Sequence, residues 1–391
     1  MLEVEKRATI AVSEELLTKL ARDPIGSREL LVPNNLKYAH CGGAASLAQF
    51  MVTWSRNTER GRLVTHAQTA QDQQTIENLI DTLPGLVGVL MASDVLTRHT
   101  SQTLRAQAYE FARKRIERMD EGDLQGSAVG PAVTLLCADH TTKRALTPLY
   151  NISPNGAGHV KGEADFIALA DAMLDRTLGQ ARRGDLTEED SEAIGVMLRE
   201  LFSNTHEHAR VDERGKPYRR SVRTIHFARH GLDDDSPDEI AGEFTPLGEY
   251  LKTMQDERRQ AARKQFVELS IFDSGPGYAA RLLGKAASED LAMKHEYAAV
   301  MRCFMRNVST RERPGGGVGL TRILQRLKAH RGFLRLRTGR LSLYKDFSDS
   351  SVRNLVEADY KLSMVVRGKG RDPRHAPVSG ALLTLLLPIG R

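Results

Sequence analysis

In the segment LRELFSNTHEHA, Glu200, Asn204 and His208 recur at every fourth residue, so in a helix all three lie on one side. Leu198, Leu201 and Phe202 supply an apolar side that can lie on a sheet. A carboxylate, an amide and an imidazole in one line are costly to bury without partners. The segment therefore asks for a helix held by its apolar side and left open, or covered by a ligand, along its polar one. Its start is also legible. Thr187 precedes Glu188 and Glu189, with Asp190 three residues on, which predicts an N-cap at Thr187 and a helix running to about residue 209. A solvated helix face would have the same spacing, so function has to be argued from further elements.

Two glycine-rich elements follow. FVELSIFDSGPGYAA alternates through Val267, Leu269 and Ile271 at strand period and ends in Asp273-Ser274-Gly275-Pro276-Gly277. An acidic residue at a strand end, followed by two glycines, gives an acceptor facing a pocket and a backbone that lets a flat ring approach. Asp273 is suited to accept a hydrogen bond from an exocyclic amine such as that of adenine. Alone, the segment reads first as an ordinary Asp-Gly turn. In RERPGGGVGLTRILQRLKAH, Gly315, Gly316, Gly317 and Gly319 precede a helical stripe of Val318, Leu320, Ile323, Leu324 and Leu327. Glycines opening a helix present free backbone N–H groups at its positive end, an arrangement that binds phosphate; a flexible loop is the plainer reading. It is not a Walker loop, because no Lys-Ser/Thr follows. It is not a Rossmann fingerprint either, because a polar stretch rather than a strand leads into it.

Composition sets the frame. With 391 residues, two domains are expected; 40% hydrophobic and 27% charged residues describe an ordinary globular chain. No run is long and apolar enough to span a membrane, and the charged start MLEVEKRATIAVSEELL lacks a signal core, so a cytoplasmic protein is expected. Cys41, Cys137 and Cys303 are isolated, which argues against a disulfide framework or a zinc ribbon. A net charge of +6 and only 5% aromatic residues argue against a nucleic-acid binder. Residues 1–160 alternate strand-like and helical patterns and read as a smaller N-terminal α/β domain, with 153–158 as a linker region. Residues 161–391 read as the second domain. An insertion at about 211–265 is expected to carry a strand at VRTIHFARH and a charged helix at 249–265, read as solvated surface or a partner-docking element.

The three motifs, in this order, resemble the GHKL ATPases, the superfamily of gyrase, a heat-shock chaperone, histidine kinases and MutL. The resemblance covers about 165–391. Glu200-x3-Asn204-x3-His208 resembles the N box, Asp273-x-Gly275-x-Gly277 the G1 box, and Gly315 to Leu320 the G2 box. Phe304 falls where kinases of this family carry an F box. GALLTLLLPIG at 380–390 resembles the closing strand, although Ala381 stands where the family has Thr. The resemblance implies a Bergerat-type α/β sandwich, a mixed sheet covered by helices on one face, that binds ATP with Mg²⁺. It implies that Asn204 holds the metal and that Asp273 reads adenine beside Thr384, with room left by Gly275 and Gly277. Gly315, Gly317 and Gly319 would wrap the phosphates under a lid at about 278–314, and His208 would either touch phosphate or pack at the helix end. Glu200 would be the general base.

Within the superfamily, no phosphoacceptor hairpin of the His-Glu-x-x-x-Pro type precedes the motifs, and the sequence stops at the closing strand. A self-phosphorylating sensor kinase and a clamp with a C-terminal transducer are therefore not expected. Two readings stay open. One is an enzyme that hydrolyses ATP or phosphorylates a separate protein in signalling. The other is a slow, nucleotide-gated binding or scaffold protein of a bacterial stress or defence system. The N-terminal domain, faintly similar to a STAS domain, reads as a docking or regulatory element, and a homodimer stays open.

Overall fold

The computed structural model describes residues 1–389 except 34, 35, 37–39, 70, 154–157, 233–235, 257–264, 287–290, 306–317, 350–360 and 366–373. The chain opens with β1 (Leu2–Glu3), α1 (Ile10–Arg22), β2 (Glu29–Leu31), α2 (Gly43–Asn57), β3 (Arg62–Thr65), α3 (Gln73–Asp81), α4 (Leu83–Met91), β4 (Asp94–Thr97) and α5 (Arg105–Asp120). These strands form a four-stranded parallel sheet in chain order, β1-β2-β3-β4. Each crossover carries a helix, and α1 packs on α2, α2 on α4 and α4 on α5. Thr82 ends α3 and opens α4. Thr82 caps α4 by accepting from Gly85 N–H at 3.0 Å, and Pro84 sits in the first turn, where a missing N–H costs nothing.

The remainder builds a second, larger layer. It comprises β5 (Ala132–Ala138), the hairpin β6 (Tyr150–Ile152) and β7 (Gly158–Val160), α6 (Glu163–Leu178), α7 (Gln180–Arg183), α8 (Glu188–His208) and β8 (Val222–Gly231). Then come α9 (Pro237–Ala241), α10 (Thr245–Asp256), β9 (Gln265–Asp273), α11 (Tyr278–Leu283), α12 (Met293–Met305) and α13 (Val318–Ala329), followed by β10 (Phe333–Gly339), β11 (Leu341–Asp346), β12 (Ser363–Met364) and β13 (Val378–Ile389). Seven strands pair in the order β12-β11-β10-β13-β9-β8-β5. Among the described residues, no helix is long and apolar enough to cross a membrane.

An α/β chain is what the sequence predicts, but two features of the large sheet differ from the expected sandwich. Every described pairing in it is antiparallel, so the sheet is not mixed. Helices also cover both faces rather than one. On the front face, α6 packs on β5 and β8, α8 packs on β8 and β9, and α13 lies against α8. On the back face, α2 lies on β13 and β9, while α10 buries Leu247, Tyr250, Leu251 and Met254 beside Phe266 and Phe333. The physical reason is the polar residues of the back face. Glu268, Ser270, His226, Arg335, Arg337 and Thr384 alternate with apolar residues as if one side met water, yet all are buried beneath the N-terminal helices. The charged stretch expected as solvated surface at 249–265 therefore has an inward apolar side over α10; residues 257–264 lie outside the described residues.

The division at residue 160 does not separate the sheets. β5 lies before it and forms the edge of the seven-stranded sheet, paired with β8 from Ala132↔Ala228 to Ala138↔Val222. Helix α2 is buried along nearly its whole length, from Gly43 to Trp54, because it serves both sheets. The VRTIHFARH segment of the expected insertion is β8, an interior strand.

Candidate functional site

Helix α8 starts where its sequence says. Thr187 Oγ1 accepts from Asp190 N–H at 3.3 Å and Asp190 Oδ2 accepts from Thr187 N–H at 2.8 Å, a reciprocal capping box. Asp190 also takes Arg326 Nε at 2.6 Å and His330 Nε2 at 2.8 Å. Burial alone would raise its pKa; hydrogen bonds from His330, Arg326 and Thr187 hold it well below the usual carboxylate range. Those contacts also fix α13. Arg322 pairs with Glu192 at 2.8 Å, and Arg326, one turn later, pairs with Glu189 at 2.9 Å. Four residues forward on α13 thus match a step back on α8, so the helices run antiparallel. The N-terminus of α13, with Gly319 in its first turn, is directed toward the half of α8 that carries Glu200, Asn204 and His208.

That half of α8 differs from the first. Asp190 and Ser191, then Ala193 to Leu198, are buried all round, whereas Asn204 is exposed and Glu200 and His208 are partly exposed. The turn after β9 meets the same end. A Cβ on Gly275 would lie 2.8 Å from Ala209 Cα and 3.2 Å from the His208 carbonyl oxygen, so only glycine lets the turn pass this close. Gly277, at φ +84°, is packed against Thr338 Oγ1 and the Gly380 carbonyl, and its conformation suits glycine as well. The His208 end of α8 and the Gly275 turn therefore meet, and the N-terminus of α13 is directed toward that half of α8. Gly315 and Gly317 lie outside the described residues. In the lid stretch, α11 and α12 are packed on one another, Phe304 is buried, and Glu296 binds Arg340 at 2.8 Å; residues 287–290 and 306–314 lie outside the described residues.

Asp273 is the electrostatic anomaly of this end. It sits opposite Arg223 in the β8–β9 register, and its Oδ1 accepts from Gly275 N–H at 2.7 Å. Burial pushes its carboxyl up to about 6 against the downward pull of the Gly275 and Ala381 N–H groups and of Arg56 and Arg223. Arg223 is committed elsewhere. It donates to Asp139 at 2.5 Å, to the Tyr150 hydroxyl and to the Arg144 carbonyl, with His206 of α8 at 3.2 Å. A strand-end carboxylate with two backbone donors and the arginine opposite it bonded elsewhere can still accept from a ligand amine.

Thr384 is not at this site. It pairs with Ser270 on the back face, its hydroxyl 2.9 Å from Ser270 Oγ, and Gly42 lies against its methyl. The alternation of β13 places Ala381, not Thr384, on the same side as Asp273, and the Ala381 N–H reaches the carboxylate. Sequence reasoning missed that backbone donor because a main-chain N–H has no residue signature. It also missed Arg56, which arrives from the N-terminal unit and carried no local signal. A cavity of about 340 Å³ between α5 and the loop after β5, lined by Tyr109, Arg113, His140 and Lys143 among others, contains none of the motif residues.

Comparisons with protein-family models, with curated proteins and with solved structures find no match for this chain.

Proposed function

We propose that the end of α8, the Asp273–Gly277 turn and the N-terminus of α13 bind ATP with Mg²⁺, and that the site carries out phosphoryl chemistry on water or on a separate protein, as the resemblance to the GHKL ATPases implies. The observation that carries this reading is the meeting of Gly275 with the end of α8 beside a carboxylate short of donors. Asp273 would accept from the adenine amine, and Gly275 and Gly277 would leave room for the ring. The first turn of α13 would offer N–H groups to phosphate oxygens. Among the described residues no three His, Cys, Asp or Glu side chains gather as a metal site. The donor available is the exposed Asn204 amide, which suits an ion that keeps its waters and takes phosphate oxygens for the rest of its shell. Bound there, Mg²⁺ would supply charge neutralisation at the phosphates.

Glu200 lies one helical turn before Asn204 on the same side and is the base that would take the proton from water or a protein hydroxyl, a role worth about 10²–10⁴ in rate. Phosphate release and nucleotide binding, measured together, test the assignment. Glu200→Ala is expected to keep Mg·ATP binding and lose turnover by that factor, and Asn204→Ala to lose both. Wild-type turnover in Glu200→Ala would make the site a nucleotide-gated binding module rather than an enzyme.

A further inference from the structure

The Asp273 end of the site is built from two backbone segments, and both are held from behind by one helix of the N-terminal unit. Gln49, Thr53 and Arg56 of α2 are spaced four and three residues apart and so share one side of it. Gln49 Nε2 donates to the Arg337 carbonyl at 3.2 Å and the Ser379 carbonyl at 3.4 Å. Thr53 Oγ1 accepts from Ser379 N–H at 3.0 Å. Arg56 Nη2 donates to the Ser274 carbonyl, inside the glycine turn itself, and its guanidinium lies 3.3 Å above the Tyr218 ring. The two segments are tied to each other as well. Gly380 N–H donates to the Gly275 carbonyl at 2.6 Å, and Gly380, at φ +74°, passes so close that a Cβ would lie 1.8 Å from the Asp273 carbonyl oxygen.

We infer that Arg56 is a positioning residue for adenine recognition: through Ser274 it fixes the turn that carries Asp273, and it makes the N-terminal α/β unit part of the nucleotide site. The inference rests on the reading of that site proposed above. Its reasoning is geometric. Ser274 immediately follows Asp273, so a shift of the turn moves the carboxylate, while the phosphate end at α13 is anchored separately by Arg322 and Arg326. Removing Arg56 should therefore damage one end of the ligand and spare the other. By linkage, nucleotide should in turn tighten the packing of α2.

The charged and titratable groups facing Asp273 are Arg56 from α2, Arg223 from β8, Tyr218 from the loop after α8 and Tyr278 at the start of α11. Of the two cations, Arg223 is spent on Asp139 and Tyr150. Loss of the Arg56 charge should thus move the acid limb of adenosine binding to higher pH, which a merely structural defect would not do.

The test is calorimetric titration of the full chain with adenosine, ATP and inorganic tripolyphosphate between pH 5 and 8, for wild type, Arg56→Gln and Arg56→Lys. Melting curves would establish that each variant is folded. Arg56→Gln is expected to weaken adenosine and ATP about tenfold, the scale of one charge-assisted hydrogen bond, and to leave tripolyphosphate unchanged. Arg56→Lys should restore the pH limb without full affinity. Wild type that binds adenosine, with Arg56→Gln unchanged in affinity and pH limb, would overturn this inference alone. Equal loss for adenosine and tripolyphosphate would overturn it too, by showing a global defect. Wild type that binds neither would overturn the reading of the site and this inference with it.

Discussion

Glu268 and Asp273 lie on the same strand, five residues apart and on opposite faces of the sheet, and burial acts on both. On the back face Glu268 accepts from His230 Nε2, Ser270 Oγ and Gly42 N–H, each at 2.7 Å. Burial would raise its carboxyl; the hydrogen bond and charge of His230, with His226 and Ser270, bring it down to about 2. On the front face Asp273 has two backbone donors and is pushed up to about 6. The contrast is one of donor supply. The back-face carboxylate is fully satisfied within the fold and does structural work. The front-face carboxylate keeps acceptor capacity that its two backbone donors do not fill.

The back face extends the same pattern. Glu14 of α1 accepts from Arg335 at 3.0 Å and from Arg337 at 2.7 Å, with His375 at 3.3 Å, and all four groups are buried. The largest effect should come from breaking this cluster. Glu14→Ala leaves two buried guanidinium groups short of their counter-charge and is expected to cost about 3–5 kcal/mol, read as a lower urea midpoint. A loss below about 1 kcal/mol, the range of exposed pairs, would mean that the two faces do not differ as claimed.

The next test sets the two carboxylates against each other. Glu268→Gln should destabilise by about 1–3 kcal/mol, because it weakens a buried acceptor that three donors need. Asp273→Asn should not destabilise the ligand-free protein at pH 7 and should stabilise it by about 1 kcal/mol, since it removes a charge that burial disfavours. The pH signs are opposite. A carboxyl raised to about 6 contributes stability that is full below its ordinary range near 4 and is lost as pH rises through 6. The Asp273→Asn advantage should therefore shrink as pH falls from 7 toward 4. Glu268, lowered to about 2, stabilises above its ordinary range near 4.5 and loses that contribution as pH falls toward 2. His226, lowered to about 4 by burial, adds a loss as pH falls from 6.5 to 4, where the unfolded chain takes a proton that the folded one refuses. Urea midpoints across pH 4–7 should show the Asp273→Asn difference shrinking toward pH 4 while the Glu268→Gln difference holds down to about 4.5; parallel curves would contradict it.

How far the sequence spoke follows from which interactions are local. The N-cap at Thr187 and the strand end at Asp273 were legible because they depend on residues a few positions apart. The meeting of Gly275 with Ala209 was open to inference only through the order of the motifs, since nothing in either segment names the other. The back face was illegible for a physical reason. Alternating polar residues on β8, β9, β10 and β13 read as a solvent-facing side, and only the docking of α1 and α2, whose side chains supply Glu14, Ser46 and Gln49, turns them into a buried network. Thr384 failed as a candidate for the same reason: proximity in sequence to a motif says nothing of which face a residue takes.

Calorimetric titration of ATP and GTP into wild type and Asp273→Asn measures whether Asp273 is an acceptor held for an exocyclic amine. Wild type is expected to prefer ATP over GTP, and Asp273→Asn to lose roughly 1–3 kcal/mol of ATP affinity while its folded stability at pH 7 is undiminished. Equal ATP affinity in the two proteins, or equal affinity of wild type for ATP and GTP, would contradict it.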